Sequence, residues 1–366
     1  MGETVRVAAV QARQRTISYK VATAKEALKQ VNENLDQLAA LAEKAADMGC
    51  AIAAFPEDTL GTIEWEAGHW KEVASLLRPA EKAMLSRFGE VAARKKMYII
   101  GCNDCGSGKR VHNTAILIGP DGKEVGRYHK VNLPIHEQSR TRGDAFPVFE
   151  APPIGTVGMC ICYDMVFPET TRALALGGAD VVFHLTMGGA SLGGRDASLA
   201  CFKARAAENF IYVVVAFRGG GSLIISPKGE ILAEGRSAPD AILTADIDPQ
   251  GGREAGDAHG GVTSDFRARL FRERVPDAYR ILLRKNPPIL KKLKHIPVLS
   301  GKEAAALGAE IFTHASDAFY QAEALFKEGK FAEAKPEFER LAARYGTTWI
   351  GRASRERLQK MAGGQR

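Results

Sequence analysis

Nowhere in the chain's 366 residues do apolar side chains run on for the roughly 18 positions that a membrane-crossing helix needs. The opening MGETVRVAAVQA carries an acid and a base within its first six residues and no long apolar core, so no secretion signal is expected there. Arg6 stands where N-myristoylation needs Ser or Thr. A cytoplasmic location, away from membranes, is the expectation. Cysteine is scarce as well. Six thiols in a chain of this length cannot frame a disulfide scaffold and are expected to be free. Cys102 and Cys105 form a CxxC, but no second CxxC or CxxH accompanies them, so a zinc site lacks half its ligands and two thiols around a strand end is the simpler reading. Neither sign of charge dominates: the net +7 is spread widely and leaves no nucleic-acid footprint. The densest basic cluster, KNPPILKKLKH at 285–295, reads as a solvated linker with a weak claim on an acidic partner.

What is present is ordinary globular composition, 45% hydrophobic and 25% charged, which points to a soluble, folded chain. Strand and helix patterns alternate through the first two thirds. VRVAAVQA (5–12) reads as a strand, and Leu28, Val31, Leu35, Leu38 and Ala42 then step by three and four along a helix. CAIAAFPE (50–57) reads as a buried strand, followed by a helix from about Ala80 to Lys95 and the strand MYIIGCN (97–103). TAILIGPDGKEVGRYHKV turns as a hairpin at Asp121-Gly122, and TVGMCIC (156–162) is the next strand. The order then repeats: a helix after Pro168, strand ADVVFHLT, a helix through ARAAEN, strand FIYVVVAF and hairpin SLIISPKGEILAEG. ILIGPDGKEVGR and LIISPKGEILAEGR resemble each other, the mark of an internal duplication. Two such sheets packed together under helices predict a four-layer α-β-β-α sandwich.

The texture changes past residue 285. We expect a main domain over 1–285, a basic linker with Pro287-Pro288 over 286–301, and a helical extension over 302–366. Phe319, Ala322 and Phe326, then Phe331, Ala334, Phe338, Leu341 and Tyr345, predict two helices around a Gly329-Lys330 turn. The pair resembles a single tetratricopeptide repeat, without the proline expected near Gly346. A lone repeat needs a neighbour to cover its apolar face: the main domain, a second copy or a protein partner. A plain helical hairpin fits the pattern equally well.

Three strand ends carry unusual residues. Cys162 closes an apolar strand where a helix start at Pro168-Glu169 follows, and backbone N–H groups beyond such a turn can point at an anion. A free cysteine is more often core filler, and Cys160, two residues back, should face the same way and sit deeper. A thiol needs a base to act as a nucleophile at neutral pH. His129, His136 and His184 are candidates, and so is Glu57, an acid placed directly after a buried strand and a proline. Lys130 ends its strand in the same manner, and a buried lysine stays charged only beside a carboxylate.

FPE at 55–57, HKVNLP at 129–134 and CICYDMVFPE at 160–169 together resemble the nitrilase superfamily of carbon–nitrogen hydrolases, in order and in spacing. The resemblance implies Glu57 as general base and acid, Cys162 as nucleophile, Lys130 with the Tyr163 N–H as oxyanion stabilisers, and Glu137 as a supporting fourth acid. It implies a thioester intermediate, no metal or organic cofactor, and at least a homodimer. Cys-Tyr-Asp at 162–164 resembles the amidase and carbamoylase branches, whereas nitrilases usually show Cys-Trp-Glu. Residues 184–209 correspond to a pocket-lining region, in which Arg195 or Arg205 is a candidate carboxylate ligand and Met187, with Tyr163, a candidate pocket wall. The expected substrate is a small amide or N-carbamoyl compound; a nitrile, or a scaffold that assembles through its helical tail, are the rival readings. The glutaminase half of an ammonia-channelling synthetase is not expected, because too little chain follows for a nucleotide-binding domain.

Overall fold

The structure, a computed structural model, describes residues 4–107, 110–188, 195–236, 238–251, 265–346 and 348–363. Its strands in chain order are β1 (Val5–Gln11), β2 (Ile52–Ala54), β3 (Tyr98–Ser107), β4 (Arg110–Ile118), β5 (Glu124–His129), β6 (Val148–Ala151), β7 (Gly155–Ile161), β8 (Val181–Thr186), β9 (Tyr212–Phe217), β10 (Leu223–Ile225), β11 (Ile231–Glu234) and β12 (Ala241–Ile247). They form two six-stranded sheets, ordered β12-β1-β2-β3-β4-β5 and β6-β7-β8-β9-β10-β11. In each sheet the second, third and fourth strands run parallel and every other pairing is antiparallel. The two halves thus share one topology, which agrees with the repeated hairpin motif. β6 and β12, the strands that close one edge of each sheet, carry no sequence pattern strong enough to announce them.

Four helices cover the outer faces: α1 (Ala24–Asp47) and, after the short α2 (Ile63–Gly68), α3 (Val73–Lys95) on the first sheet; α4 (Pro168–Leu176) and α5 (Arg195–Ala207) on the second. Thr23 and Glu26 close a capping box at the start of α1, and Val31, Leu35, Leu38 and Ala42 form its buried stripe, as their spacing predicts. α3 starts at Val73, about two turns earlier than expected, and carries Pro79 inside it. Burial of Val73, Leu76 and Leu77 outweighs the backbone hydrogen bond that the proline removes. Strand residues alternate between the two faces. Ala8 and Val10 meet the helices, while Val7 and Ala9 join Leu117, Tyr128, Met159, Ile161 and Val214 in the core between the sheets. The layers are therefore α-β-β-α.

Beyond the sandwich come α6 (Phe266–Arg272), α7 (Ile289–Lys292), α8 (Gly301–Ile311), α9 (His314–Lys327), α10 (Phe331–Tyr345) and α11 (Trp349–Ala362). The hairpin predicted from 319–345 is α9 and α10. Its apolar face is covered within the chain: Ile311 from α8 and Ile350 from α11 pack with Phe319, Phe338 and Leu341. Among the described residues, no helix is long and apolar enough to cross a membrane.

Candidate active site

Glu57, Lys130 and Cys162 each follow the end of a strand, β2, β5 and β7, and the packing of one sheet on the other brings them together. The Lys130 Nζ donates to Glu57 Oε1 at 2.9 Å and to both carboxylate oxygens of Glu137 at 3.1 and 2.9 Å. Lys130 is wholly buried, and Glu57 and Glu137 are only 2% and 5% exposed, so each charge depends on the others for compensation. Glu57 has further donors: Asn113 Nδ2 at 2.8 Å to Oε1 and the Met187 N–H at 3.2 Å to Oε2. Its own carbonyl accepts from Arg218 Nη2 at 3.1 Å, and the same nitrogen reaches Asp58 Oδ2 at 3.0 Å. Asp58 in turn accepts the Thr62 and Ile63 N–H groups at the start of α2.

Electrostatics assign the resting protons. Burial alone would raise the Glu57 carboxyl, but the Lys130 charge and hydrogen bonds from Lys130, Asn113 and Cys162 override it and hold it well below the ordinary carboxylate range. Burial works against the Lys130 ammonium, and the carboxylates of Glu137 and Glu57 more than reverse that. The Cys162 thiol is pushed up to about 12, first by burial and then by the Glu57 charge. The cluster therefore rests as carboxylate, ammonium and neutral thiol, with the thiol beside Glu57.

Cys162 has a φ of 44°, a left-handed conformation that costs a non-glycine residue about 1–2 kcal/mol. Asp164 holds the turn in place. Fully buried, it accepts from Tyr128 Oη at 2.6 Å, the Ile161 N–H at 3.0 Å, and the Asn132 N–H and Nδ2 at 2.9 and 3.0 Å. The short 3-10 helix Cys162–Val166 begins here, so the Tyr163 N–H lies in a first turn, where backbone donors lack intrahelical acceptors. The same φ corrects the expectation for Cys160. Strand alternation puts both sulfurs on one face, but the left-handed step turns Cys162 back toward the inter-sheet core, while Cys160 lies in the cluster under α4 and α5. Two residues apart, the thiols face opposite ways.

Among the described residues, none of the three histidines is hydrogen-bonded to Cys162. His184 Nδ1 lies 3.6 Å from the Cys160 sulfur, and burial drives its pKa down to about 3. His129 meets Thr114 at 3.0 Å and stacks near His112. His136 adjoins Glu137, with a 3.9 Å approach, and faces Phe312. Tyr163 packs edge-on against Phe167, and Met187 meets the site through its backbone N–H rather than as an apolar wall alone. Arg205 is paired with Glu208 at 3.3 Å. The Arg195 side chain lies outside the described residues, as does part of the 184–209 segment. Cys102 faces the inter-sheet core and Cys105 the helix side, so the CxxC sulfurs also point apart. Sequence reading missed Asn113, Asp164 and Arg218. Only Asp164 had a local signal, its place two residues after Cys162.

A family model described as carbon-nitrogen hydrolase matches residues 6–257. Deaminated glutathione amidase from Synechocystis sp. PCC 6803 is 30% identical over 244 residues, 60% of this chain and 87% of the relative. The nitrilase of Pyrococcus abyssi is 32% identical over 233 residues, 59% of this chain and 84% of the relative, and human omega-amidase NIT2 is 27% identical over 285 residues, 69% and 94%. The solved amidase from Nesterenkonia sp. AN1 superposes with a TM-score of 0.59 at 22% identity, over 76% of this chain and 97% of that one, a likeness in fold. With two sheets of matching topology and the family model spanning most of the sandwich, this chain belongs to the carbon-nitrogen hydrolase family.

Proposed function

We propose that the chain hydrolyses the C–N bond of a small amide or N-carbamoyl compound through a thioester on Cys162. The observation that carries the reading is the buried ammonium of Lys130, held between Glu57 and Glu137 with the Cys162 thiol against Glu57. Glu57 takes the thiol proton as sulfur attacks the carbonyl carbon. The oxyanion that forms meets Lys130 and the Tyr163 N–H. An ammonium has three N–H donors: one serves Glu57, one is shared between the two oxygens of Glu137, and the third is left for the oxyanion. As the C–N bond breaks, Glu57 returns its proton to the leaving nitrogen. Water then attacks the thioester, gives its proton to Glu57, and the departing sulfur recovers it as the acid leaves. A neutral resting thiol suits this cycle, because the proton moves only when attack begins.

Cys-Tyr-Asp at 162–164 and the amidase names of two relatives favour amides over nitriles. A mutant of the Nesterenkonia amidase, solved with the acetamide moiety of fluoroacetamide covalently added at its active-site cysteine, supplies the precedent for a cysteine adduct. Ammonia release from a panel of ω-amides, N-carbamoyl amino acids and nitriles tests the reading. Turnover of an amide or carbamoyl compound, an acyl adduct on Cys162 by mass spectrometry, and a Cys162→Ala protein that folds but is slower by ~10⁶-fold are expected. Turnover of nitriles alone supports the nitrilase reading, and no turnover of any supports a scaffold. At least a dimer is also part of the proposal, supported by the exposed apolar side chains of Leu282, Leu283 and Val298; a single-chain mass by light scattering would overturn it.

A further inference from the structure

Glu137 ends the 3-10 turn Ile135–Glu137, and that turn is gripped from two sides. On one side Arg140, three residues on, is buried in an ion pair with Asp104 and lies 3.5 Å from Glu66. On the other stands α8. Its approach is so close that a Cβ on Gly308 would lie 2.2 Å from the His136 carbonyl oxygen, a backbone atom that cannot swing aside. A cavity of 170 Å³ flanks this contact, with Trp70, His136 and Arg140 on one wall and Ala305, Ala309 and Phe312 on the other. A second grip comes from α9, where Asp317 accepts from Tyr19 Oη at 2.9 Å and pairs with Lys20, and His314 Nδ1 lies 3.0 Å from the same hydroxyl. The C-terminal helices thus bridge the loop after β1 and the turn that carries Glu137. They lie beyond residue 257, where the family match ends.

We propose that α8 is a splint for the Glu137 turn, and that Gly308 is a positioning residue which, through His136 and Glu137, sets the aim of the Lys130 ammonium. The inference rests on the hydrolase reading for its kinetic part only. Glu137 holds two of the contacts that orient Lys130, so a turn displaced by a fraction of an ångström redirects the donor meant for the oxyanion.

The test is Gly308→Val in the full chain. Expected are a fall in kcat/KM of about 10²-fold, carried mainly by kcat, and faster amide exchange across 135–140. Expected too is non-additivity: combined with Glu137→Gln, Gly308→Val costs nothing more, because both act through one group. Lys335→Ala, at an exposed ion pair on α10, is the control and leaves both readouts unchanged. Wild-type kinetics in Gly308→Val, or a loss that multiplies with that of Glu137→Gln, overturns the splint. Should Gly308→Val fail to fold, Asp317→Ala loosens α9 from Tyr19 and Lys20 and must give the same pattern at smaller amplitude. Amide exchange and the rate of Cys162 alkylation by iodoacetamide need no substrate. A chain that hydrolyses no amide but changes in both on Gly308→Val sinks the hydrolase reading and keeps the splint.

Discussion

The two sheets are built to one plan and carry different chemistry. β1 to β5 in the first sheet correspond in order and direction to β7 to β11 in the second. The first is covered by long helices of 24 and 23 residues, the second by helices of 9 and 13. Strand ends of the first sheet supply the charges, Glu57 and Lys130. Those of the second supply the neutral thiol of Cys162 and the backbone donor of Met187. β1, the counterpart of β7, ends in Gln11, whose side chain accepts from the Ser222 N–H at 2.9 Å and donates to the Arg236 carbonyl at 3.0 Å, tying one sheet to the other. The shared topology lines up the strand ends of the two sheets, and the residues in which they differ create the site. The charges and the thiol thus come from opposite sheets, and the thiol rests protonated beside a carboxylate that the other sheet supplies.

The sharpest way to break this division is Lys130→Met. It leaves Glu57 and Glu137 facing one another in a buried site with no cation between them. We expect loss of turnover together with about 3–5 kcal/mol of stability, the scale for orphaning a buried charge, read as an earlier midpoint in urea. A Lys130→Met protein as stable as the wild type would show that the ammonium compensates nothing.

Much of this was legible in sequence. The helix stripe of α1, the repeated hairpin and the three strand-end motifs all rest on periodicity or on local residue order, and those survive into the fold. Glu137 was legible only through the family resemblance, in the stretch LPIHEQSRTRGD. What escaped was set by contacts between distant segments. Asn113 lies mid-strand on β4 and faces Glu57 only because β4 pairs with β3. Arg218 follows β9 like many a surface arginine, and only sheet packing aims it at the Glu57 carbonyl. The aim of Cys162 escaped for another reason: alternation along a strand cannot foresee a left-handed residue that is not glycine. Between 184 and 209 the sequence carries no pattern that separates a ligand-binding arginine from a helix-surface one.

The next prediction concerns pH and tests which half holds the titrating groups. If Glu57 is the base, kcat/KM stays flat through neutrality, with no bend near the ordinary histidine value of about 6.5. Burial pushes the imidazoles of His129, His136 and His184 below that value. The acid limb falls below about 4.3, the ordinary glutamate value, because the folded Glu57 carboxyl is held down by Lys130. Stability follows the same signs. The contribution of Glu57 is present above its unfolded value and lost as pH falls through the lower folded one. That of the raised Cys162 thiol is present below its unfolded value of about 8.5 and lost as pH climbs toward the folded value of about 12. A histidine bend in the rate profile would hand the base to the wrong residue.

The smallest effect expected is at Cys160, and it sharpens the comparison within a single strand. Its sulfur packs among Leu174, Val182 and Phe202 on the helix side, with His184 as its polar neighbour. Burial and the Asp164 charge push this thiol far up, and, facing the helices, it lies apart from the Glu57 carboxylate that the proposal uses to activate Cys162. Cys160→Ala should cost about 1 kcal/mol of stability for the small void and leave kcat/KM unchanged. Iodoacetamide should label Cys162 and spare Cys160. Simple alternation along β7 demands the opposite, two sulfurs sharing one face and one fate. A loss of activity in Cys160→Ala comparable to that in Cys162→Ala would therefore mean that the left-handed step at Cys162 does not turn the proposed nucleophile away from its neighbour, and the proposed separation between a reactive and a structural thiol would fall with it.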